Sequence, residues 1–133
     1  MTARYLLDTN ILSDLVRHPQ GVIAQRIIAE GQETVVTSIV VAAELRFGAV
    51  KKGSARLITQ VDTILAAMTI VPIERPMDTT YGKLRLELET AGRPIGGNDL
   101  LIASQALTLD LAVVTANLRE YERVPGLAVE NWL

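Results

Sequence analysis

The stretch "YLLDTNILSDLV", residues 5–16, decides how the chain begins to fold. It opens with three apolar residues, a run short enough for a buried strand, and Asp8 then places a carboxylate at the end of that run. The side chains of "DTN" are of the types that cap a helix, and "ILSDLVRH" follows with amphipathic spacing. We therefore predict a strand over residues 4–7, a turn and a helix, which is the opening of an α/β fold.

The same alternation of short apolar runs and helical patterns continues along the chain. Strands are predicted over 34–38, 69–73 and 111–115, with a last edge strand after the Pro-Gly break in "RVPGLAVENW". Helices are predicted over 21–31, 39–53, 54–68, 78–89 and 98–110, with one short helical turn in "LREYERV". Helices between strands imply parallel pairing through right-handed crossovers, hence a parallel sheet between two helical layers.

Two of these helices carry apolar stripes of the kind that normally face a core. In the helix over 21–31 the apolar positions at helical spacing are Val22, Ile23, Ile27 and Ile28. In the helix over 39–53 the residues that share an apolar face are Val40, Ala43 and Phe47. The spacing in both segments supports the two predicted helices.

Length and composition restrict the class of protein. The 133 residues suffice for one domain, and no linker or repeat divides them, so we predict a single domain over 1–133. Hydrophobic residues make up 49% and charged residues 21%, the balance of a folded globular protein. The absence of cysteine excludes disulfides, thiolate nucleophiles and iron–sulfur clusters. The longest apolar stretch, Ile39–Ala43, is too short to span a bilayer, so we expect a cytoplasmic protein that does not bind membranes.

Three carboxylates occupy positions for which a structural role is hard to find. Asp8 follows an apolar strand, Glu44 lies in the mostly apolar "VVAAELRFG", and Asp99 precedes a helix that reads as buried. Ordinary alternatives exist for each: either aspartate can cap a helix, and Glu44 can face solvent or pair with Arg46 or Lys51. The three acids together favour a common site.

The topology is expected to bring these acids together. Parallel strands end at one edge of their sheet, where ligands bind, and Thr115 and Asn117 follow the "LAVV" strand at that edge. Acids so close together repel one another unless a cation neutralises them. With no cysteine and one histidine, oxygen ligands dominate, which favours Mg²⁺ or Mn²⁺. The predicted reaction is metal-assisted cleavage of a nucleic acid backbone. The net charge of −2 argues against binding nucleic acid by bulk electrostatics but does not exclude an enzyme that reaches a phosphodiester through bound metal.

Four segments together resemble the PIN-domain ribonucleases, and among them the VapC-type toxins of bacterial toxin–antitoxin pairs. The segments are "YLLDTNILSDLV", "SIVVAAELRFGA", "GRPIGGNDLLIASQAL" and "VVTANLREYERVPGLAVENW". The resemblance covers nearly the whole chain and implies a three-layer α/β/α domain with a five-stranded parallel sheet. It also implies a Mg²⁺- or Mn²⁺-dependent endoribonuclease that forms a homodimer, is inhibited by a VapB-like antitoxin and meets DNA only through that antitoxin.

The resemblance also implies roles for individual residues. Asp8, Glu44 and Asp99 match the three acids that bind metal and carry catalysis in that family. Asn10, in the same block as Asp8, is a supporting polar group. Asp14, further along the first helix, is expected to face solvent.

The fourth segment departs from the family's pattern. Thr115 and Asn117 lie in it as supporting residues, but Asn117 stands where many PIN domains have another aspartate, so it brings no charge. Glu120, about one helical turn further on, either supplies the missing acid or faces solvent. The departure keeps open an alternative function, a weakly catalytic binding subunit of an antitoxin-tethered DNA-binding repressor. A third idea, an aspartyl-phosphate formed at Asp8, lacks the second acid two residues on that such phosphatases use.

Basic residues are scattered along the chain and most of them are expected to solvate its surface. Some could guide RNA phosphates to the acidic edge, and the adjacent pair Lys51 and Lys52 is the first candidate. The basic residues considered are Arg17, Arg46, Lys51, Lys52, Lys83, Arg85 and Arg93.

Overall fold

The computed structural model describes residues 2–133 and contains one sheet of five strands. The strands are β1 (Tyr5–Leu7), β2 (Val35–Ser38), β3 (Thr69–Val71), β4 (Ala112–Val114) and β5 (Val129–Glu130). Their order across the sheet is β3-β2-β1-β4-β5, and every neighbouring pair is parallel. This confirms the predicted five-stranded parallel sheet, including the short last strand at its edge.

Seven helices connect the strands. They are α1 (Thr9–Arg17), α2 (Val22–Glu30), α3 (Ile39–Lys52), α4 (Ala55–Ala66), α5 (Met77–Thr90), α6 (Gly97–Leu109) and α7 (Leu118–Tyr121). Helix α1 packs against α2, α3 and α4, whereas α5 packs against α6. Within residues 2–133, no helix is both long and apolar enough to cross a bilayer.

Strand β1 lies at the centre of the sheet and is covered on both faces. Successive side chains of a strand point to opposite faces, and all three residues of β1 are buried. The two faces are therefore both covered by helices, which confirms the three-layer α/β/α arrangement. Leu6 and Leu7 have no exposed surface, so the core is centred on this strand.

The register of the strands determines which side chains leave the sheet together. Leu7 pairs with Thr37 of β2 on one side and with Val114 of β4 on the other. The next residue along each strand, Asp8 after β1 and Thr115 after β4, therefore emerges at the same carboxyl edge. The predicted gathering of polar groups at this edge follows from the pairing alone.

The buried face of α3 is not the one that Val40, Ala43 and Phe47 share. Its buried side chains are Val41, Ala42, Leu45 and Ala49. Val40 is only half-buried, Ala43 is exposed, and Phe47 exposes 67% of its surface. Helix α3 has two apolar stripes at helical spacing, and periodicity cannot tell which of them faces the core. The smaller side chains pack inward, where α3 meets α1 and α4.

Helix α2 buries only part of its apolar spacing. Ile23 is fully buried, but Val22 exposes 59% of its surface and Ile28 exposes 79%. The helix packs against α1, and its polar side chains also reach the sheet, where Arg26 pairs with Glu130 and Glu30 accepts a hydrogen bond from Tyr5.

Candidate active site

The carboxyl edge of the sheet holds the buried carboxylate of Asp8, which exposes 4% of its surface. Its Oδ1 accepts a hydrogen bond of 2.8 Å from the backbone N–H of Thr9, so Asp8 is also the N-cap of α1. Its Oδ2 accepts two further hydrogen bonds, one of 2.8 Å from the hydroxyl of Thr115 and one of 3.4 Å from the amide of Asn10. Burial, which these hydrogen bonds offset only in part, raises the pKa of Asp8 above its ordinary value. The capping role and the site role therefore coexist in one side chain.

The supporting residues predicted around Asp8 form one network. The Asn10 amide nitrogen lies 3.3 Å from the Thr115 hydroxyl. The Asn10 side-chain oxygen accepts a hydrogen bond of 2.9 Å from the backbone N–H of Ala116. The Thr115 hydroxyl in turn accepts a hydrogen bond of 2.9 Å from the backbone N–H of Asn117. This network ties the start of α1 to the segment that follows β4, and it fixes the orientation of the Asp8 carboxylate.

Glu44 points from α3 toward the same edge. Its Oε1 accepts a hydrogen bond of 2.7 Å from the hydroxyl of Thr9, and its charge helps to raise the pKa of Asp8. The alternative pairing with Arg46 or Lys51 was wrong. Arg46 pairs with Asp62, and the Lys51 ammonium lies 5.9 Å from the centre of the Phe47 ring.

Asp99 lies in the first turn of α6, whose N-cap is Gly96 rather than Asp99. Its Oδ1 accepts a hydrogen bond of 3.0 Å from the hydroxyl of Tyr121. Burial, followed by the adjacent Glu120 carboxylate and the charge of Asp8, raises the pKa of Asp99 to about 7. The helix-capping alternative for this residue is therefore wrong, and its acidity depends on two other carboxylates.

Glu120 is only partly exposed and lies close enough to Asp99 for its charge to help raise the pKa of Asp99. Its Oε1 accepts a hydrogen bond from the backbone N–H of Gly96, and its Oε2 accepts one of 2.8 Å from the side-chain amide of Asn117. Burial by itself would raise the pKa of Glu120, but the hydrogen bonds that its carboxylate accepts lower it. Of the two carboxyl groups, Asp99 therefore keeps its proton to higher pH than Glu120 does.

Tyr121 is a member of the site that the sequence did not reveal. The side chain is completely buried, and its hydroxyl lies among acids. Burial and the negative charges of Asp8, Asp99 and Glu44 all raise the pKa of this phenol, which therefore remains a hydrogen-bond donor. A signal was present, since a tyrosine directly follows Glu120 in "LREYERV", but an aromatic residue there reads equally well as ordinary core.

The residues at this edge suit a hard divalent cation in their chemistry. Across residues 2–133, no three His, Asp or Glu side chains form a complete metal cluster as they stand. Asp99 nevertheless holds a proton near neutrality because it lies against Glu120. The hydrogen-bond donors to the buried Asp8 are neutral groups, so none of them balances its charge. A divalent cation would supply the positive charge that is missing both at Asp8 and between Asp99 and Glu120. All the side-chain atoms available to bind it are oxygens.

Comparisons with known proteins agree with this fold. The sequence profile described as "PIN domain" matches residues 5–127. "Ribonuclease VapC2" of Rickettsia felis is 37% identical over 130 residues, covering 96% of this chain and 97% of that protein. "tRNA(fMet)-specific endonuclease VapC" of Salmonella typhimurium is 31% identical over 130 residues, covering 97% of this chain and 98% of that protein.

A solved structure of a related protein has the same fold. The crystal structure of VapBC2 from Rickettsia felis, bound to a DNA fragment from their promoter, matches with a TM-score of 0.90 and 33% sequence identity. The match covers 97% of this chain and 98% of that one. These similarities confirm the resemblance that the four sequence segments indicated. The chain therefore belongs to the PIN-domain family, and within it to the VapC ribonucleases of toxin–antitoxin pairs.

Proposed function

We propose that this chain is the toxin of a VapBC-type pair, an endoribonuclease that hydrolyses RNA phosphodiester bonds with a divalent metal bound by Asp8, Glu44 and Asp99. The observation that carries the proposal is that these three carboxylates, distant in sequence, gather at the carboxyl edge of the sheet, each held by a neutral hydroxyl donor. The pKa of Asp99, raised by burial and by the Glu120 carboxylate, agrees with such a concentration of negative charge. Glu120 joins these acids and takes the place of the charge that Asn117 does not bring.

Each residue of the site has a separate task in this reaction. Asn10 and Thr115 orient the Asp8 carboxylate, and Thr9 orients Glu44, so these oxygens are placed before any ligand arrives. Tyr121 holds Asp99 by its hydroxyl, and Asn117 holds Glu120. A bound cation would favour the ionised form of Asp99, whose pKa is raised by burial and by the neighbouring Glu120 carboxylate.

Mg²⁺ or Mn²⁺ is the proposed cofactor, because the donors are carboxylate oxygens without sulfur or imidazole. When bound, the ion supplies the positive charge that activates water and stabilises the leaving oxygen of the phosphodiester. The chain's own contribution is the fixed orientation of the carboxylates and the partly buried site that surrounds them.

The proposed macromolecular partners follow from the relatives. A VapB-like antitoxin is proposed because the Rickettsia felis structure holds VapBC2 with promoter DNA, and DNA is proposed to be met only through that antitoxin. Transfer RNA is the first substrate to test, since the Salmonella typhimurium relative is named as specific for tRNA(fMet). A cytoplasmic location is proposed as well, because a protein that acts on transfer RNA must meet it there.

A homodimer is also proposed, and the exposed face of α3 supports it. Ile39, Phe47 and Val50 expose 46%, 67% and 66% of their surfaces on this helix. Contiguous apolar side chains of this kind mark interaction surfaces more often than solvated ones. The face adjoins Glu44, so two copies joined through it would bring their acidic sites to the same side of the dimer.

The test of the proposed activity uses purified protein, bacterial transfer RNA and added Mg²⁺ or Mn²⁺. Wild-type protein should cleave, whereas Asp8→Asn and Asp99→Asn should lose at least about 100-fold in rate while their thermal unfolding stays cooperative. Asp14→Asn is the matched control, because it removes an equal charge from α1 outside the site. Equal cleavage by wild type and both site variants would overturn the assignment of the acids.

The alternative function, a weakly catalytic binding subunit, is distinguished by the same experiment. It is favoured by Asn117, which leaves this position without a charge. Under that alternative the wild-type protein binds an antitoxin and represses through it, but neither RNA cleavage nor growth arrest exceeds that of Asp8→Asn. The aspartyl-phosphate alternative is weaker, since Asn10, two residues after Asp8, donates a hydrogen bond and offers no acid.

A further inference from the structure

A groove begins at the acidic site and runs between α1, α3 and α4. Its volume is about 290 Å³, and its floor is apolar, formed in part by Leu45, Ala49 and Val61. Two stripes of residues at i, i+4 and i+8 form its walls. The stripe on α1 is Thr9, Ser13 and Arg17, and the stripe on α3 is Glu44, Gly48 and Lys52.

Each stripe starts at the acidic site and ends at a cation. Thr9 and Glu44, which are joined by a hydrogen bond, form the near end, and Arg17 and Lys52 form the far end. Eight residues of α-helix rise about 12 Å, so the backbone positions of Arg17 and Lys52 lie roughly that far along the groove from those of Thr9 and Glu44. Within residues 2–133, neither Arg17 nor Lys52 makes an ion pair.

The last turn of any helix stabilises cations, whether or not a ligand binds there. The positions of Arg17 and Lys52 must therefore be compared with that of another cation at a helix end. Lys51 provides it, because it belongs to the same last turn of α3. Its ammonium lies over the Phe47 ring and does not line the groove. Two neighbouring lysines with the same relation to the helix end therefore face different surroundings, and only Lys52 is available to a ligand in the groove.

Gly48 keeps the groove open in the middle of α3. Glycine in a helix interior lowers helix stability relative to alanine, so its presence there calls for a reason. A Cβ atom built on Gly48 would meet no other atom within 4 Å, which means that backbone crowding does not require the glycine. The position is empty on the groove side, and a side chain there would fill the space between the acidic site and the two cations.

We propose that this groove is a subsite for the RNA strand, in which Arg17 and Lys52 bind a phosphate distant from the one that is cleaved. The inference rests on the proposed ribonuclease function. Charge complementarity and continuity with the acidic site favour an RNA strand, which must leave that site in some direction. The apolar floor suits ribose and base faces. Since Arg17 and Lys52 lie more than two helical turns beyond the residues at the acidic site, they act on substrate binding and not on the chemical step.

The test compares Arg17→Ala/Lys52→Ala with Lys51→Ala, all in the full chain, with bacterial transfer RNA as the probe. The double variant should raise KM several-fold, leave kcat unchanged, and reduce the slope of log affinity against log salt concentration by roughly 1.4 to 1.8. Lys51→Ala removes a charge from the same helix turn and should change none of these quantities. Gly48→Leu should raise KM without changing the salt slope, because it fills the groove and adds no charge.

The outcomes separate the subsite from the activity on which it rests. Wild-type cleavage together with an unchanged KM and salt slope in the double variant would overturn the subsite and leave the ribonuclease intact. Loss of binding to a co-expressed antitoxin, with RNA kinetics unchanged, would also overturn it and would identify the groove as a peptide site. If the wild-type protein neither cleaves nor binds transfer RNA, both the subsite and the proposed function are overturned.

Discussion

The hydroxyl of Tyr121 lies 3.0 Å from Oδ1 of Asp99, so a phenol in the short helix α7 holds a carboxylate in the first turn of α6. The phenol is fully buried, and Asp8 and Glu44 contribute to the negative potential around it. A neutral donor in this position can orient an acid without competing with a cation for its charge. The phenol therefore acts as a positioning residue for the acidic site.

Tyr121→Phe removes only this hydroxyl and should weaken both Mn²⁺ binding and RNA cleavage. Loss of a group that orients a metal ligand typically costs about 10–100-fold in affinity or activity. The measurement is calorimetric titration with Mn²⁺, followed by cleavage rates. Tyr81→Phe is the control, since the Tyr81 hydroxyl bonds Arg85 at the surface of α5. If Mn²⁺ affinity is unchanged in Tyr121→Phe, the phenol is only a packing group.

Glu120→Gln should lower the cleavage rate about as strongly as Asp99→Asn, because the two side chains act as one pair. The substitution removes the charge that supports the proton on Asp99, so the pKa of Asp99 should fall toward its ordinary value. The carboxyl resonance of Asp99, followed by NMR across the pH range, reports this shift. Glu122→Gln lies two residues away on an exposed position and should have no effect on either quantity.

The metal-free protein should lose stability as the pH rises from about 4 to about 7. The pKa of Asp99 is raised to about 7, so over this interval the folded protein holds a proton that the unfolded chain releases. The stabilising contribution is therefore complete at low pH and is lost as the pH rises through the folded value. The lowered pKa of Glu120 acts in the opposite sense, but only near and below its ordinary value of 4.5.

Thermal unfolding in the presence of a chelator checks this pH dependence. Asp99→Asn should flatten the curve, and addition of Mg²⁺ should restore stability near neutral pH by binding the folded state. A melting temperature that rises between pH 4 and pH 7 without metal would contradict the assignment of the raised pKa to Asp99.

Phe47→Glu should convert a dimer into a monomer without unfolding it. The side chain is 67% exposed, so its replacement leaves the core intact but places a charge in the proposed dimer surface. Light scattering coupled to size-exclusion chromatography measures the mass directly. Leu86→Glu on α5 is the matched control, because Leu86 is also 67% exposed but lies on another helix. Monomeric wild-type protein, or dissociation by both variants alike, would rule out this surface.

The order of elements could be read from the sequence, and the reason is visible in the core. Short runs such as Tyr5–Leu7 are buried on both faces of the sheet, so they stand out as apolar without alternation. Asp8 and Thr115 could be placed at one edge because parallel strands end together, and the register confirms it. These features depend on local pattern and on topology, which a single sequence contains.

Other features depend on packing that no local pattern encodes. Phe47 and Leu45 lie in the same helix at equally plausible apolar positions, and only contact with α1 and α4 decides which is buried. Lys51 and Lys52 likewise could not be told apart from sequence, since one extra residue turns a side chain by about 100° around the helix. Tyr121 reads as core because its hydroxyl gains a role only when α6 brings Asp99 to it.

The hydrogen bond from Thr115 to Asp8 joins residues 107 positions apart, and Tyr121 reaches Asp99 from still nearer the end of the chain. A polypeptide that is still emerging from the ribosome has its first acids long before it has the groups that orient them. The acidic site can therefore take its final geometry only after Tyr121 has been made, however early its first carboxylate appears.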